Sequence, residues 1–403
     1  MKLSWYYFFL LLALKKKKTD EKKAVKQPYS RRHSRYQKAF HRGLSAEERQ
    51  LRQRRIPRVS LHSPRASAWR RLFYSYNNQA LITVTGLDHA SFEYLLRLFE
   101  PVFNATTPFG EIVEKTNKRG RKRTITAVDC LGLVLTWTRT RGSTMSLQMC
   151  FGLSMTNMAM YLRFGRRIVT DVLSNDYFAK ITIPSNDQIQ KYKDAVAEKY
   201  PLLDSVWASM DGIKMPIQQS GSTKVQGYFY NGWKHNHFVT SVFCFCPDGT
   251  IPIAHMNLPG ATHDSTIADW GDIYNKLESV YEQNGGICCV DSAFRMRNAE
   301  YIIRSSQNDL VGVGLTFEEQ AVDLLRKQQA TSMRQSSEWG MRMLQSSFPR
   351  LCDKFPFETN GERRIAIKMM VLIYNLRARL VGINQIKNVF MPSLNVNPQT
   401  YMH

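Results

Sequence analysis

Two aspartates directly follow short apolar runs that have the composition of buried strands. Asp291 follows residues 287–290, and Asp211 follows residues 206–210. In open α/β sheets, functional sites lie at the carboxyl ends of strands, and a central first strand pairs with a later parallel strand. The two carboxylates are therefore expected to face each other at one edge of the sheet. Such charges repel unless a cation lies between them, and a hard divalent metal with carboxylate oxygen ligands fits this arrangement.

A third acid, Glu338, lies in a long predicted helix and could complete the set. The helix brings Glu338 within one turn of two basic residues, Arg334 and Arg342. Glu338 could therefore form an ion pair on its own helix instead of binding a metal. The spacing along the sequence leaves both interpretations open.

The aspartates also have ordinary structural interpretations. Asp211 precedes Gly212 in a favourable hairpin-turn pair, and Asp291 could form a turn or cap a following helix. A further acid, Asp264, follows His263 and has the features of a helix N-cap. Sequence spacing does not decide between these interpretations and a site of three acids.

The elements that would position the acids are predicted to form a mixed α/β sheet. Apolar and aromatic runs predict strands at 206–210, 226–230, 238–246, 287–290 and 310–313. Helical periodicity predicts helices at 265–281, 298–305, 318–348 and 363–380. A meander of three strands followed by alternating helices and strands favours a mixed sheet with helices packed on it.

An all-helical region is predicted ahead of the sheet, over residues 80–185. It contains a helix that begins at an Asp88 cap, an apolar helix at 127–137, and helix-turn-helix spacing around Gly152. Because many helical hairpins share this spacing, DNA reading and simple packing both remain open. Five basic residues within six positions are suited to phosphate binding: Lys118, Arg119, Arg121, Lys122 and Arg123.

The charge of the chain is concentrated near its start. The 403 residues carry a net charge of +23, and residues 15–71 contain 20 Lys and Arg against 4 Asp and Glu, or +16. We expect residues 1–75 to form a disordered basic arm that contacts DNA, with a solvated tail as the alternative. Such an excess of positive charge favours a polyanionic partner.

The cysteines and the apolar residues near the start of the sequence give expectations about where in the cell the protein is found. Seven cysteines without a CxxC motif do not form a disulfide framework or a zinc site, which favours a reducing compartment. The apolar run at 3–14 is short for a membrane span and lacks a signal-peptide cleavage site. We expect no stable membrane association and a nuclear location, with a membrane-anchored basic protein as the alternative.

The residues around the acids resemble the PIF/Harbinger-type transposases and their nuclease relatives in the DDE superfamily. The matching stretches, in order, are SMDG (209–212), GYFYNGWKH (227–235), PGATHDS (259–265), VDSAF (290–294) and SEWG (337–340). The resemblance implies an RNase H-like catalytic domain over residues 200–390. It also implies that Asp211, Asp291 and Glu338 are the catalytic and metal-binding acids, and that His263 and Asp264 support them.

The same resemblance implies a reaction and its partners. The expected activity is two-metal cleavage and joining of DNA phosphodiester bonds with Mg²⁺ or Mn²⁺. A Myb-like DNA-binding partner protein and a homo-oligomer are further expectations. The alternative function is a domesticated DNA-binding protein that keeps the fold and no longer cuts.

Overall fold

The computed structural model describes residues 56–108, 123–141, 144–294, 299–304, 316–356 and 359–392. The chain divides into two units, Met1–Ser60 and Leu61–His403. Of the first unit only residues 56–60 are described, and they contain a 3-10 turn over Arg58–Ser60. The elements that position the three acids all lie in the second unit.

The second unit begins with helices whose starts are set by capping side chains. The Asp88 carboxylate accepts from Ser91 N, and Thr126 forms a capping box with Asp129. Each cap satisfies backbone N–H groups that have no partner within the helix. The helices are α1 (Ala68–Phe73), α2 (Asn78–Thr85), α3 (His89–Ala105), α4 (Ala127–Arg139), α5 (Met145–Phe151), α6 (Met155–Ser174) and α7 (Asn186–Lys199).

Part of the segment predicted as a disordered basic arm is folded. Trp69 of α1 is fully buried and stacks on Phe151 with ring centroids 5.4 Å apart. The neighbouring Arg70 forms an ion pair with Asp129 of α4 at 2.8 Å. Residues 68–73 are therefore part of the helical core, while residues 1–55 of the predicted arm lie outside the described part of the chain.

The predicted helix-turn-helix pair is present as α5 and α6. Gly152 joins the two helices in the left-handed conformation, with φ of +64°. Helix α6 is tied to the rest of the unit by Glu362, which accepts from Arg166 and Arg167. Its contribution to DNA binding stays a prediction.

The sheet combines an antiparallel meander with two parallel strands. Its strands are β1 (Val206–Pro216), β2 (Tyr230–Asn231), β3 (Asn236–Phe245), β4 (Ile253–Pro259), β5 (Ile287–Val290) and β6 (Ile302–Arg304). The strand order is β2-β3-β1-β5-β6, with β4 also paired to β3. Strand β1 is antiparallel to β3 and parallel to β5, so the central placement expected for the first strand is confirmed.

Several predicted elements of this half were wrong. Residues 226–230 were expected as a strand, but α8 (Thr223–Phe229) occupies most of that segment, and the Tyr228 and Tyr230 side chains are exposed while Phe229 packs against the core. The third strand of the meander is instead β4, and residues 298–305 contain β6 where a helix was expected. The strand predicted at 310–313 lies outside the described residues.

One of the helices predicted for the second half is interrupted in the structure. A single helix was expected at 265–281, but two helices meet at Gly271 and Asp272, and Asp272 is in the left-handed region with φ of 56°. The long helices near 318–348 and 363–380 are confirmed. These helices are α9 (Asp264–Trp270), α10 (Ile273–Asn284), α11 (Phe317–Ser347), α12 (Asn360–Leu380) and α13 (Gln385–Phe390).

Small residues allow α11 to lie close against one face of the sheet. The Ser336 hydroxyl is 2.7 Å from that of Ser209 in β1. A Cβ atom added at Gly340 would lie only 2.5 Å from the Phe245 ring in β3. This close approach fixes the height at which α11 presents Glu338 above the sheet.

Replacing Gly340 with Ala should therefore destabilise the protein and displace Glu338. We expect a loss of about 1–3 kcal/mol in the free energy of unfolding, because an extra methyl group has no room beside a buried ring. Denaturant unfolding measures this change. The matched control is Gly361→Ala in α12, where an added Cβ meets nothing within 4 Å, and where alanine should be neutral or stabilising.

Candidate active site

The two predicted aspartates lie side by side on neighbouring strands. In the parallel register of β1 and β5, Met210 pairs with Val290, and Asp211 and Asp291 are the next residues of each chain segment. Paired residues present their side chains on the same face of a sheet, and successive residues alternate. Both carboxylates therefore belong to the face that carries Ser209 and packs against α11.

Strand β1 does not end at Asp211 as the sequence predicted. It continues to Pro216 because residues beyond Asp211 keep pairing with β3, with Asp211 opposite Phe243. Asp211 and Gly212 are therefore strand residues, and the hairpin-turn interpretation of this pair is wrong. Asp291, in contrast, stands directly after the last residue of β5.

Both aspartates use one oxygen in the same way. Asp211 Oδ1 accepts from Gly212 N at 2.7 Å, and Asp291 Oδ1 accepts from Ser292 N at 2.7 Å. Such bonds orient a carboxylate by its own backbone and are also typical of turn-forming aspartates. The turn interpretation of Asp291 therefore has a structural basis alongside the metal-ligand interpretation.

Glu338 shares a cavity with Asp211. The cavity has a volume of about 310 Å³ and is bordered by β1, the turn before β3, and α11. It combines acidic and basic side chains, with Lys214, Lys234 and Arg342 lining it beside the two acids. The structure therefore brings Asp211 together with Glu338 in one open cleft and with Asp291 across the strand pair.

Glu338 is engaged with a cation in this conformation. Its Oε1 atom lies 2.9 Å from Arg334 Nη2, one turn earlier on α11. The positive charge of Arg334 also acts to lower the pKa of Asp211. The alternative foreseen for Glu338, an ion pair on its own helix, is thus present, and Arg334 supplies a positive charge near the acids.

Burial dominates the electrostatics of Asp211. The pKa of Asp211 is raised from 3.8 to about 6, mainly by desolvation; the charges of Asp291 and Asp264 contribute to the increase, and the bond from Gly212 N opposes it. A carboxyl group with this environment is stabilised by a nearby cation, since the cation favours the charged form. The electrostatics are therefore those of a site that gains from binding one.

Asp264 lies against Gly212, the residue that follows Asp211 in β1. It is the first residue of α9, and His263 occupies the N-cap position without a side-chain cap bond, so the N-cap interpretation of Asp264 is wrong. A Cβ atom at Gly212 would lie 2.5 Å from the Asp264 carboxyl carbon. Glycine at this position makes room for a carboxylate beside Asp211.

The Asp264 carboxylate is buried without a full set of partners. Among the described residues, no group forms a hydrogen bond with its Oδ1 atom. Burial raises the pKa of Asp264, the charges of Lys214 and His263 oppose this increase, and the charge of Asp291 adds to it. Because Gly212 alternates with Asp211 along β1, Asp264 approaches from the face opposite α11. Sequence reasoning found this residue by its family motif but not its contact with Gly212.

The chemistry of these residues fits a hard divalent cation. The donors are carboxylates, and one buried carboxylate oxygen has no hydrogen-bond partner in the part of the chain that the structure describes. A cation would relieve the repulsion between the neighbouring acids. Within the described residues, no group of three or more His, Cys, Asp or Glu side chains converges as metal ligands in this conformation. Part of the reason is that Glu338 is ion-paired with Arg334 in this conformation.

The predicted DNA-contacting residues are only partly described. Lys118, Arg119, Arg121 and Lys122 lie outside the described ranges. The Arg123 guanidinium donates to the carbonyl oxygens of Phe103 and Thr106 and lies 4.3 Å from the centroid of the Phe103 ring. It thus holds the end of α3, and its contact with phosphate stays a prediction.

The raised pKa of Asp211 gives a pH dependence of stability for the metal-free protein. A carboxyl group whose pKa is higher in the folded state stabilises the fold below its unfolded pKa, and this contribution is lost as pH rises through about 6. Asp211→Asn removes that titration. The stability gained by this variant over the natural protein should therefore be larger near about pH 7.5 than near about pH 4.5, by about 2 kcal/mol. Denaturant unfolding in EDTA measures it, and an equal gain at both pH values would contradict it.

A comparison with known protein families matches the segment that contains the acids of the candidate site. Residues 210–375 match the family model described as DDE superfamily endonuclease, which covers about two-fifths of the chain and includes all four acids. No curated protein and no solved structure matched the chain. Among the described residues, no helix is long and apolar enough to cross a membrane. The segment that builds the candidate site is thus similar in sequence to the endonucleases of the DDE superfamily.

Proposed function

We propose that this chain is a metal-dependent DNA endonuclease of the transposase type, related to the PIF/Harbinger transposases. It cuts phosphodiester bonds at transposon ends and joins those ends to target DNA. The observation that carries this proposal is the placement of Asp211 and Asp291 on paired strands, with Glu338 in the cavity beside them. The antiparallel meander followed by two parallel strands supports an RNase H-like catalytic core.

Each residue of the site has a distinct task in this proposal. Asp211 and Asp291 hold the divalent cation from rigid strands, where small displacements would reduce the rate strongly. Glu338 joins them from α11 once it leaves Arg334, and Asp264 supports Asp211 from the opposite face. When bound, Mg²⁺ or Mn²⁺ supplies the activation of a water or a 3′-hydroxyl group and offsets the charge on the leaving oxygen.

The basic side chains of the cavity supply the complementary function. Lys214, Lys234 and Arg342 stand beside the acids, where they can bind the phosphates on either side of the cut bond. Such positive charge lets DNA approach a site that is otherwise acidic. The cavity therefore combines groups for a cation with groups for a polyanion.

The test of this function is cleavage by the purified full chain. The substrate is a plasmid that carries the DNA flanking both sides of its gene, incubated with Mg²⁺, with Mn²⁺ and with EDTA. We expect cuts at the element ends with either metal and no cuts with EDTA. Tight DNA binding without cutting in either metal, also when a Myb-like partner is added, would establish the catalytically silent alternative.

The location and the assembly of the protein form a second part of the proposal. We infer a nuclear location because residues 15–71 hold +16 of the net charge of +23, and a homo-oligomer would bring two element ends together. A tag at the C-terminus that stays outside nuclei would contradict the location. Movement of the tag from membranes to nuclei after removal of residues 1–14 would instead establish a membrane anchor.

A further inference from the structure

The segment 223–235 presents three aromatic side chains to solvent next to the acidic cavity. It consists of α8, β2 and the turn that leads into β3. Trp233 is 91% exposed, Tyr228 58% and Tyr230 42%. A largely exposed tryptophan leaves a wide apolar ring in water, and Trp is a side chain that nucleic-acid-binding proteins use to stack on bases.

The segment is held in place by specific hydrogen bonds. Asn231 donates from Nδ2 to the Gly260 carbonyl at 3.0 Å, and its Oδ1 atom accepts from Lys234 N at 3.0 Å. Ala261 N donates to the Tyr228 carbonyl at 3.3 Å. These bonds fix the turn on both sides of Trp233, so the ring is presented on an ordered support, as a stacking surface requires.

The position of the segment links the aromatic rings to the site of cleavage. Lys234, the next residue after Trp233, lines the cavity together with Asp211 and Glu338. A phosphate held by Lys234 would therefore lie where the cavity meets the turn that carries Trp233. The nucleotide attached to that phosphate has a planar base within the reach of an adjacent aromatic side chain.

We propose that residues 223–235 form a stacking platform on which Trp233 binds an unpaired base at the cut end of the DNA. The inference rests on the proposed function and specifies its substrate: a DNA end with a short single-stranded tail, in preference to a blunt duplex. A paired base is stacked between its neighbours and leaves no free face, so the platform favours unpaired nucleotides. Tyr228 and Tyr230 extend the same surface.

The test measures binding in EDTA, so that the result does not depend on cleavage. The probes are a duplex with a three-nucleotide tail and a blunt duplex of the same sequence, each carrying a fluorescent label. Trp233→Ala should weaken binding of the tailed duplex by about 5- to 150-fold, the range for loss of one stacked base, and leave the blunt duplex unchanged. Trp233→Phe should keep most of the affinity because it keeps an aromatic face.

The matched control is Trp270→Ala, which removes another exposed tryptophan, 59% exposed, at the end of α9. It should leave both affinities unchanged. A second measurement places 2-aminopurine in the tail, where stacking on Trp233 quenches its fluorescence and Trp233→Ala restores it. Equal losses for tailed and blunt DNA, or no loss for either, would overturn the platform.

Two further outcomes separate this inference from the proposed function. If the natural protein never cuts but its binding of tails depends on Trp233, the nuclease proposal fails and the platform stands. If the protein cuts normally while Trp233→Ala binds tails normally, the platform alone fails. A change of oligomeric state in Trp233→Ala with unchanged DNA affinity would make this surface a protein interface and also overturn the platform.

Discussion

Replacing Asp291 with Asn is expected to reduce metal-dependent DNA cleavage by orders of magnitude while the protein still folds and binds DNA. The change keeps the shape of the side chain and removes one negative charge from the edge where β5 meets β1. Asparagine can still accept the bond that Asp291 Oδ1 receives from Ser292 N. The local turn should therefore persist, and any loss of cleavage reports on the charge.

The turn interpretation of Asp291 predicts the opposite result. If the carboxylate only organises the residues after β5, asparagine serves equally well and cleavage is unchanged. Cleavage and binding are measured on the same folded sample, and DNA binding should be retained or strengthened because less negative charge faces the phosphates. A natural protein that cuts, beside an Asp291→Asn variant that cuts equally well, would rule out the mechanism based on three acids.

A matched control and a double variant sharpen this comparison. Asp187→Asn changes an exposed aspartate in the first turn of α7 and should leave cleavage unchanged. Asp211→Asn should reduce cleavage as strongly as Asp291→Asn. The two changes together should be no worse than either alone, because residues that act as one unit have non-additive effects.

The part of the site that the sequence predicted is the part fixed by local pattern. The apolar run before Asp291 is a buried strand in the structure, and its position beside β1 follows from the general rules for sheets of this kind. The long helix that carries Glu338 was also evident from its periodicity. These features depend mainly on the residues within each element.

The features that the sequence did not predict depend on contacts between distant segments. Strand β1 extends past Asp211 because β3 continues to pair with it as far as Pro216 opposite Phe238. Asp264 lies against Gly212 because α9 packs over β3, the strand that pairs with β1 around Gly212. Residues 226–230 have the composition of a strand, yet two of their three aromatic rings, Tyr228 and Tyr230, are exposed to solvent, so composition alone gave the wrong element.

The ion pair between Arg334 and Glu338 has two possible explanations, which predict different effects of mutation on cleavage. If Glu338 serves only to hold Arg334, either mutation removes the same ion pair. Glu338→Gln and Arg334→Met should then have equal and small effects on stability and on cleavage. An exposed ion pair between residues four apart on a helix contributes only about 0.3–0.5 kcal/mol to stability. If Glu338 is a ligand of the catalytic metal, the two variants should differ greatly.

We expect Glu338→Gln to reduce cleavage by orders of magnitude at every metal concentration, because it removes the only acid that α11 contributes to the lining of the cavity.

We expect Arg334→Met to keep cleavage and to lower the Mn²⁺ concentration needed for half-maximal rate, because Glu338 no longer has to leave a cation before it can bind another. Titration of cleavage against Mn²⁺ for both variants measures this difference. The matched control is Arg326→Met, which removes an exposed arginine about two turns earlier on α11 and should leave both the cleavage rate and the Mn²⁺ requirement unchanged. A higher Mn²⁺ requirement in Arg334→Met would show that Arg334 assists the site, and the competition between Arg334 and the metal for Glu338 would then be excluded.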